Sequence, residues 1–76
     1  MQKAEYKGFG KHLKDCLIEK SMTQRELAEA SGTHEHIISR YVCGNRYPSL
    51  KSAVKLAKAL DIDVNVLAEW LESEND

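Results

Sequence analysis

The stretch TQRELAEASGTHEHIISRYVCG, residues 23–44, contains two short amphipathic segments that are joined through a glycine. Thr23 and Glu26 have the spacing of a capping box, in which each side chain accepts a hydrogen bond from the backbone N–H of the other residue. We expect Gly32 to end the helix that begins there. Its inward-facing residues are predicted to be Leu27, Ala28 and Ser31. The pattern therefore predicts a helix, a tight turn and a second helix.

The second helix is predicted over residues 35–43, with Gly44 as its stop. At about 100° per residue, its side chains divide into two separate arcs. The apolar arc contains Ile37, Ile38, Tyr41 and Val42. The polar arc contains Glu35, His36, Ser39, Arg40 and Cys43. We expect the polar arc to face outward, either as an ordinary solvated helix face or as a surface that recognises a partner.

A metal site or a catalytic centre is a less favoured interpretation of the same stretch. On a helix, His34 and His36 would point about 200° apart, whereas residues four positions apart converge on one ion. Neither Cys16 nor Cys43 belongs to a CxxC motif, and no glycine loop suited to phosphate is present. We therefore expect no bound metal, no cofactor and no enzymatic activity.

Three further helices are predicted outside this stretch. The first covers residues 8–20, the fourth residues 50–60 after the Ser49 cap, and the fifth residues 63–72. Their predicted buried residues are Phe9, Leu13, Cys16 and Leu17, then Leu50, Ala53, Val54, Ala57 and Leu60, then Leu67. No run alternates long enough for a strand. The sequence thus predicts an all-α, compact five-helix bundle, with one domain over residues 1–76 and a core at about 8–62.

The charge of the chain is distributed unevenly along its 76 residues. The formal net charge is −1, but residues 1–60 hold eleven Lys/Arg against six Asp/Glu, a balance of +5, and residues 61–76 carry six acids and no base. A basic body is compatible with binding to nucleic acid, despite the neutral average. Two isolated cysteines and no long apolar run favour a reduced, cytoplasmic protein without a membrane segment.

Residues 9–67 resemble the lambda-repressor/Cro-like helix-turn-helix family of bacterial and phage regulators. The matching residues are Gln24, Leu27, Ala28, Gly32, Ile38, Ser39, Gly44, Pro48, Ser49 and the run KLAKALDI at 55–62. The resemblance implies a lambda-repressor-like bundle that binds double-stranded DNA, with the third helix in the major groove. By position, the base-reading residues would be Glu35, His36, Ser39 and Arg40. The phosphate-binding residues would be Gln24, Thr33, His34, Asn45, Arg46, Tyr47 and Lys51.

Two departures from the family pattern bear on these roles. His34 stands at a position where many relatives have a Ser or Thr cap. Thr33 is therefore an alternative cap, and the sequence does not determine which of two adjacent residues begins the third helix. Leu17 and Val42 replace a charged pair that many relatives carry. Because replacing both members of a buried ion pair by apolar residues is often neutral or stabilising, we predict that Leu17 and Val42 touch.

Relatives of this kind usually act as homodimers, because one recognition helix meets only a few base pairs. The fifth helix is the expected interface, through Val66, Trp70 and Leu71. The predicted function is that of a sequence-specific transcriptional regulator, most simply a repressor on a palindromic operator. The alternative is an antitoxin-like or adaptor module, with a protein partner such as a toxin or polymerase.

Overall fold

The computed structural model describes residues 7–72, which form five helices and no strand within that range. In chain order these are α1 (Lys7–Glu19), α2 (Gln24–Ser31), α3 (Glu35–Cys43), α4 (Leu50–Leu60) and α5 (Val64–Glu72). The predicted all-α architecture is confirmed, and the predicted helix bounds agree within one residue. α3 packs on α1 and α2, while α4 lies against α2 and α5, and α5 also reaches α1.

The helix ends follow from local hydrogen bonding. The predicted capping box of α2 is present, with the Thr23 hydroxyl accepting from the Glu26 N–H at 3.0 Å and the Glu26 carboxylate accepting from the Thr23 N–H at 2.9 Å. Gly32 ends α2 with φ +70°, in the left-handed region that glycine adopts without steric cost. Gly44 ends α3 in the same way, with φ +81°.

The core combines side chains from all five helices. Phe9 packs edge-on against Tyr41, with ring centroids 6.1 Å apart. The largest fully buried side chains are Phe9, Leu13, Leu27, Ile38, Leu56, Leu60 and Leu67. Full burial of one such side chain stabilises the fold by about 1.5–3 kcal/mol relative to exposure. These side chains belong to one hydrophobic cluster, so the five helices share a single core.

The inward face of α4 differs from the prediction at three positions. Leu50 was expected in the core, but it is 80% exposed, and Val54 is only half-buried. Leu56, absent from the predicted set, is buried. The reason is geometric: Leu50 is the first residue of α4 and lies at its exposed end, whereas the buried face of the helix is formed by Ala53, Leu56, Ala57 and Leu60.

Within residues 7–72, no helix combines the length and the apolar character needed to cross a lipid bilayer.

Candidate nucleic-acid interface

α2, a short turn and α3 form a helix-turn-helix unit. The turn is fixed because the Gly32 N–H bonds to the last carbonyls of α2 and the Thr33 N–H donates to the Ala28 oxygen at 2.9 Å. These bonds satisfy carbonyl groups that a helix end otherwise leaves without partners. The chain then leaves the turn in an extended conformation at His34, and α3 begins at Glu35. The orientation of α3 is thus set by backbone hydrogen bonds in the turn.

The predicted polar arc of α3 faces outward. Glu35, His36 and Arg40 are exposed, and Ser39 is half-buried between them and the core. On the opposite side of the helix, Ile38 and Tyr41 are buried and hold it against the bundle. The predicted orientation of the face is confirmed, whereas the base-reading role of its residues stays a prediction.

His34 and His36 are arranged differently from the sequence expectation. Their imidazole rings stack, with centroids 5.6 Å apart and planes 23° apart, instead of pointing in opposite directions. The 200° separation assumed that both residues are helical, but His34 has φ −85° and ψ 145° and lies outside α3. The stacked rings place two imidazoles at the N-terminal end of α3. Each can donate a hydrogen bond to a base edge or a phosphate oxygen.

The start of α3 is at the expected residue. Thr33 was an alternative cap, but His34 occupies the N-cap position, and its backbone oxygen accepts from the N–H groups of Ile37 and Ile38. The His34 side chain makes no capping hydrogen bond. The first N–H groups of the helix therefore stay open to an external acceptor, and the N-terminus of a helix favours anions such as phosphate.

A second group of predicted DNA-binding residues lies in the loop 44–49 and at the start of α4. Asn45, Arg46 and Lys51 are exposed, and Gln24 is half-buried at the first position of α2. The ion pairs found among residues 7–72 are Lys11–Asp15 and Arg25–Glu29. Arg40, Arg46 and Lys51 take no part in an ion pair within that range, so no carboxylate there neutralises them.

Tyr47 contacts α5 through its hydroxyl group. The hydroxyl donates a hydrogen bond to the backbone oxygen of Leu71 at 2.9 Å. The two residues are 24 positions apart, and no local sequence pattern predicts this bond. The predicted phosphate contact of Tyr47 therefore competes with an interaction inside the fold.

The three residues expected at a dimer interface do not share one surface. Trp70 packs against Phe9, and its ring stacks on that of His12 with the two centroids 5.7 Å apart. Together with Val66, Trp70 lines a cleft of about 490 Å³ beside α1. Leu71 instead lines a groove of about 260 Å³ between α4 and α5. We call this second cavity the α4–α5 groove; its lining is Pro48, Ser49, Leu50, Ala53, Val64, Leu67, Ala68 and Leu71.

The remaining sequence predictions concern a buried pair and a metal site. Leu17 is buried, and Val42 packs partly buried against the same core, so their predicted contact is compatible with the fold and stays a prediction. Among residues 7–72, no three His, Cys, Asp or Glu side chains cluster closely enough to hold a metal ion.

Comparison with known proteins places this arrangement among transcription factors. The chain is 27% identical over 66 residues to the HTH-type transcriptional regulator YqaE of Bacillus subtilis, covering 87% of the chain and 57% of that protein. It is 28% identical over 68 residues to the SPbeta prophage-derived HTH-type transcriptional regulator YonR of Bacillus subtilis, covering 90% and 63%. The chain therefore spans about three fifths of the length of these two relatives.

The crystal structure of the restriction-modification controller protein C.AhdI from Aeromonas hydrophila superposes with a TM-score of 0.80 and 34% sequence identity. That superposition covers 86% of this chain and 98% of C.AhdI. The sequence profile of the family described as helix-turn-helix matches residues 13–67, which include all of α2, α3 and α4. Because this match spans both helices of the unit and the helices that support it, the chain belongs to the helix-turn-helix family of DNA-binding transcriptional regulators, of the lambda-repressor/Cro-like type that its sequence resembles.

Proposed function

We propose that the chain binds a specific double-stranded DNA sequence and represses transcription as a homodimer on a palindromic operator. The observation that carries this proposal is the outward face of α3, on which exposed His36 and Arg40 stand opposite the buried anchors Ile38 and Tyr41. Such a face is able to enter the major groove while the helix stays packed. Arg40 can pair with guanine O6 and N7, and Glu35 can accept from cytosine N4.

In this proposal, contacts with DNA phosphates supply most of the affinity of the chain for duplex DNA. Gln24, Asn45, Arg46 and Lys51 would contact the DNA backbone on either side of α3, with the open N-terminus of α3 assisting. Each phosphate that a cationic side chain neutralises releases a counterion, so binding should weaken steeply with salt. Glu35 contributes differently, since its carboxylate repels phosphate and penalises sites that lack a matching cytosine.

The α4–α5 groove supports the homodimer. A twofold contact uses the same patch on both copies, so the patch must present a protruding group and a matching cavity. Here Leu50 is 80% exposed at the edge of the α4–α5 groove, and Val64, which also lines the groove, is 40% exposed. The groove itself is lined almost entirely by apolar side chains. Of the residues predicted from sequence, Leu71 belongs to this patch. We therefore propose an interface through Leu50, Val64 and Leu71.

A gel-shift titration tests the function. The probe is a duplex from the region upstream of the chain's own gene, with a random duplex of equal length as competitor, over a series of salt concentrations. We expect a preference for the cognate duplex of about 10³-fold or more and a steep loss of affinity with salt. The likeness to C.AhdI makes promoters of restriction-modification genes the second set of probes. Equal binding to all duplexes at every salt concentration would contradict sequence-specific recognition.

The alternative of a protein-interaction module finds less support. It predicts that Trp70 is covered by a different protein, but Trp70 already packs on Phe9 and His12 of the same chain. The partial burial of Trp70 thus needs no second protein to explain it.

A further inference from the structure

The loop 44–49 connects α3 to α4 and is anchored at its centre. Asn45 and Arg46 are exposed, whereas the next residues are held: Pro48 is buried, and the Tyr47 hydroxyl donates to the Leu71 oxygen at 2.9 Å. The anchor joins the loop that follows the recognition helix to the last turn of α5. The C-terminal cap of α3 already holds Asn45, whose backbone N–H donates to the Arg40 oxygen at 2.9 Å, so the Tyr47 anchor matters most for the exposed Arg46.

The acceptor in this bond is a backbone carbonyl group of α5 (Val64–Glu72), the one at Leu71. A carbonyl oxygen has two lone pairs, so it can accept from the Tyr47 hydroxyl whatever its bonding within the helix. Because the acceptor belongs to the helix backbone, the hydrogen bond fixes the Tyr47 side chain, and with it the loop, to α5.

This bond also limits what Tyr47 can do at the DNA. A tyrosine hydroxyl has a single proton to donate, and an unprotonated phosphate oxygen only accepts hydrogen bonds. While the proton is directed at Leu71, Tyr47 does not donate to phosphate. The neighbouring Arg46 has a guanidinium group with five N–H donors and takes part in neither of the ion pairs found among residues 7–72.

We propose that Tyr47 is a positioning residue that holds Asn45 and Arg46 against the DNA backbone by fastening their loop to α5, an inference that rests on the proposed DNA-binding function. Its consequence is a coupling between the two functional surfaces. Leu71, whose backbone accepts the bond, also lines the α4–α5 groove through which a second copy is proposed to dock. A partner that stabilises the last turn of α5 thereby stabilises the loop that contacts phosphate.

The test is a double-mutant cycle in the full chain with Tyr47→Phe, Arg46→Ala and the double variant. Tyr47→Phe keeps the ring and removes only the hydroxyl. Affinities for the cognate duplex are measured over a salt series, well below the melting temperature of each variant, which is determined by thermal denaturation. We expect Tyr47→Phe to weaken binding about three- to tenfold, the effect of one lost hydrogen bond, and to reduce the slope of log affinity against log salt.

The double variant separates positioning from direct contact. If Tyr47 acts through Arg46, the double variant binds about as well as Arg46→Ala alone, because coupled residues give non-additive losses. An additive loss with an unchanged salt slope would overturn the proposal and make Tyr47 a direct, neutral phosphate donor. Wild-type affinity and slope in Tyr47→Phe would overturn it as well. Failure of the wild-type chain to prefer cognate over random duplex contradicts the proposed function instead, so the two failures are distinguishable.

Discussion

Gly10 of α1 lies directly against the backbone of Val42 in α3. A Cβ atom at position 10 would stand 2.5 Å from the Val42 carbonyl oxygen and 2.7 Å from that of Tyr41. With no side chain at position 10, the backbone of α3 packs directly against the backbone of α1. The depth of α3 in the bundle is therefore set by the absence of a side chain at this position.

We predict that Gly10→Ala destabilises the fold, although alanine is the better helix former by about 1 kcal/mol. The added methyl group meets backbone atoms, which cannot rotate away, and overpacking of this kind costs about 1–3 kcal/mol. Urea denaturation measures the difference in the free energy of unfolding. Lys14→Ala, on the exposed side of the same helix, is the control and should stay within about 0.5 kcal/mol of wild type. A stabilised Gly10→Ala variant would show that α3 moves aside freely.

Arg40→Ala should reduce binding to the cognate duplex by about 1–3 kcal/mol and relax the preference at one base pair. The reason is that Arg40 is exposed on the outward face of α3, where a guanidinium group can form two hydrogen bonds to one guanine. Titrations against a set of duplexes with single base-pair changes measure both effects. Lys51→Ala is the comparison, since a phosphate contact should weaken all duplexes alike and lower the salt slope by about one. A uniform loss for Arg40→Ala would make it a phosphate contact too.

The two cysteines should differ in their reaction with iodoacetamide. Cys43 is exposed on the polar arc of α3, whereas Cys16 is buried and its burial raises the pKa of the thiol. A raised pKa lowers the thiolate fraction at a given pH, and the thiolate is the species that reacts. We expect Cys43 to be alkylated in the folded protein and Cys16 only after unfolding, as mass spectrometry of the two peptides will show.

Alkylation also reports on the position of the DNA. A cognate duplex should slow the alkylation of Cys43, because in the proposed complex the face of α3 that carries Cys43 lies in the major groove. A random duplex at the same concentration and the same salt concentration is the control, and it should protect Cys43 from alkylation less. Unchanged alkylation at saturating cognate DNA would show that another surface binds the duplex.

Leu50→Lys should weaken the proposed homodimer at least about tenfold, because the substitution removes an apolar side chain from the proposed interface and brings a charge there. Ile18→Lys offers a matched control: Ile18 is 66% exposed on α1 and lines none of the cavities described above. Sedimentation equilibrium measures both dissociation constants. Equal effects of the two substitutions, or none, would place the interface elsewhere.

Much of this molecule follows from its sequence. Thr23 and Glu26 determine where α2 begins, and Gly32 and Gly44 determine where α2 and α3 end, because capping bonds and left-handed glycines act over a few residues. The outward direction of Glu35, His36 and Arg40 follows from helical periodicity and from the apolar residues on the other side of α3. Local hydrogen bonding and periodicity are properties of the chain itself, so no knowledge of distant contacts is needed for them.

The tertiary structure decided what depends on distant partners. Leu50 looks like a core residue in the pattern of α4, but no neighbouring helix covers it, and the Tyr47 hydroxyl reaches Leu71 only because α5 folds back beside the loop. Whether a side chain is covered or bonded depends on which segment arrives next to it, and periodicity along one helix carries no information about that neighbour.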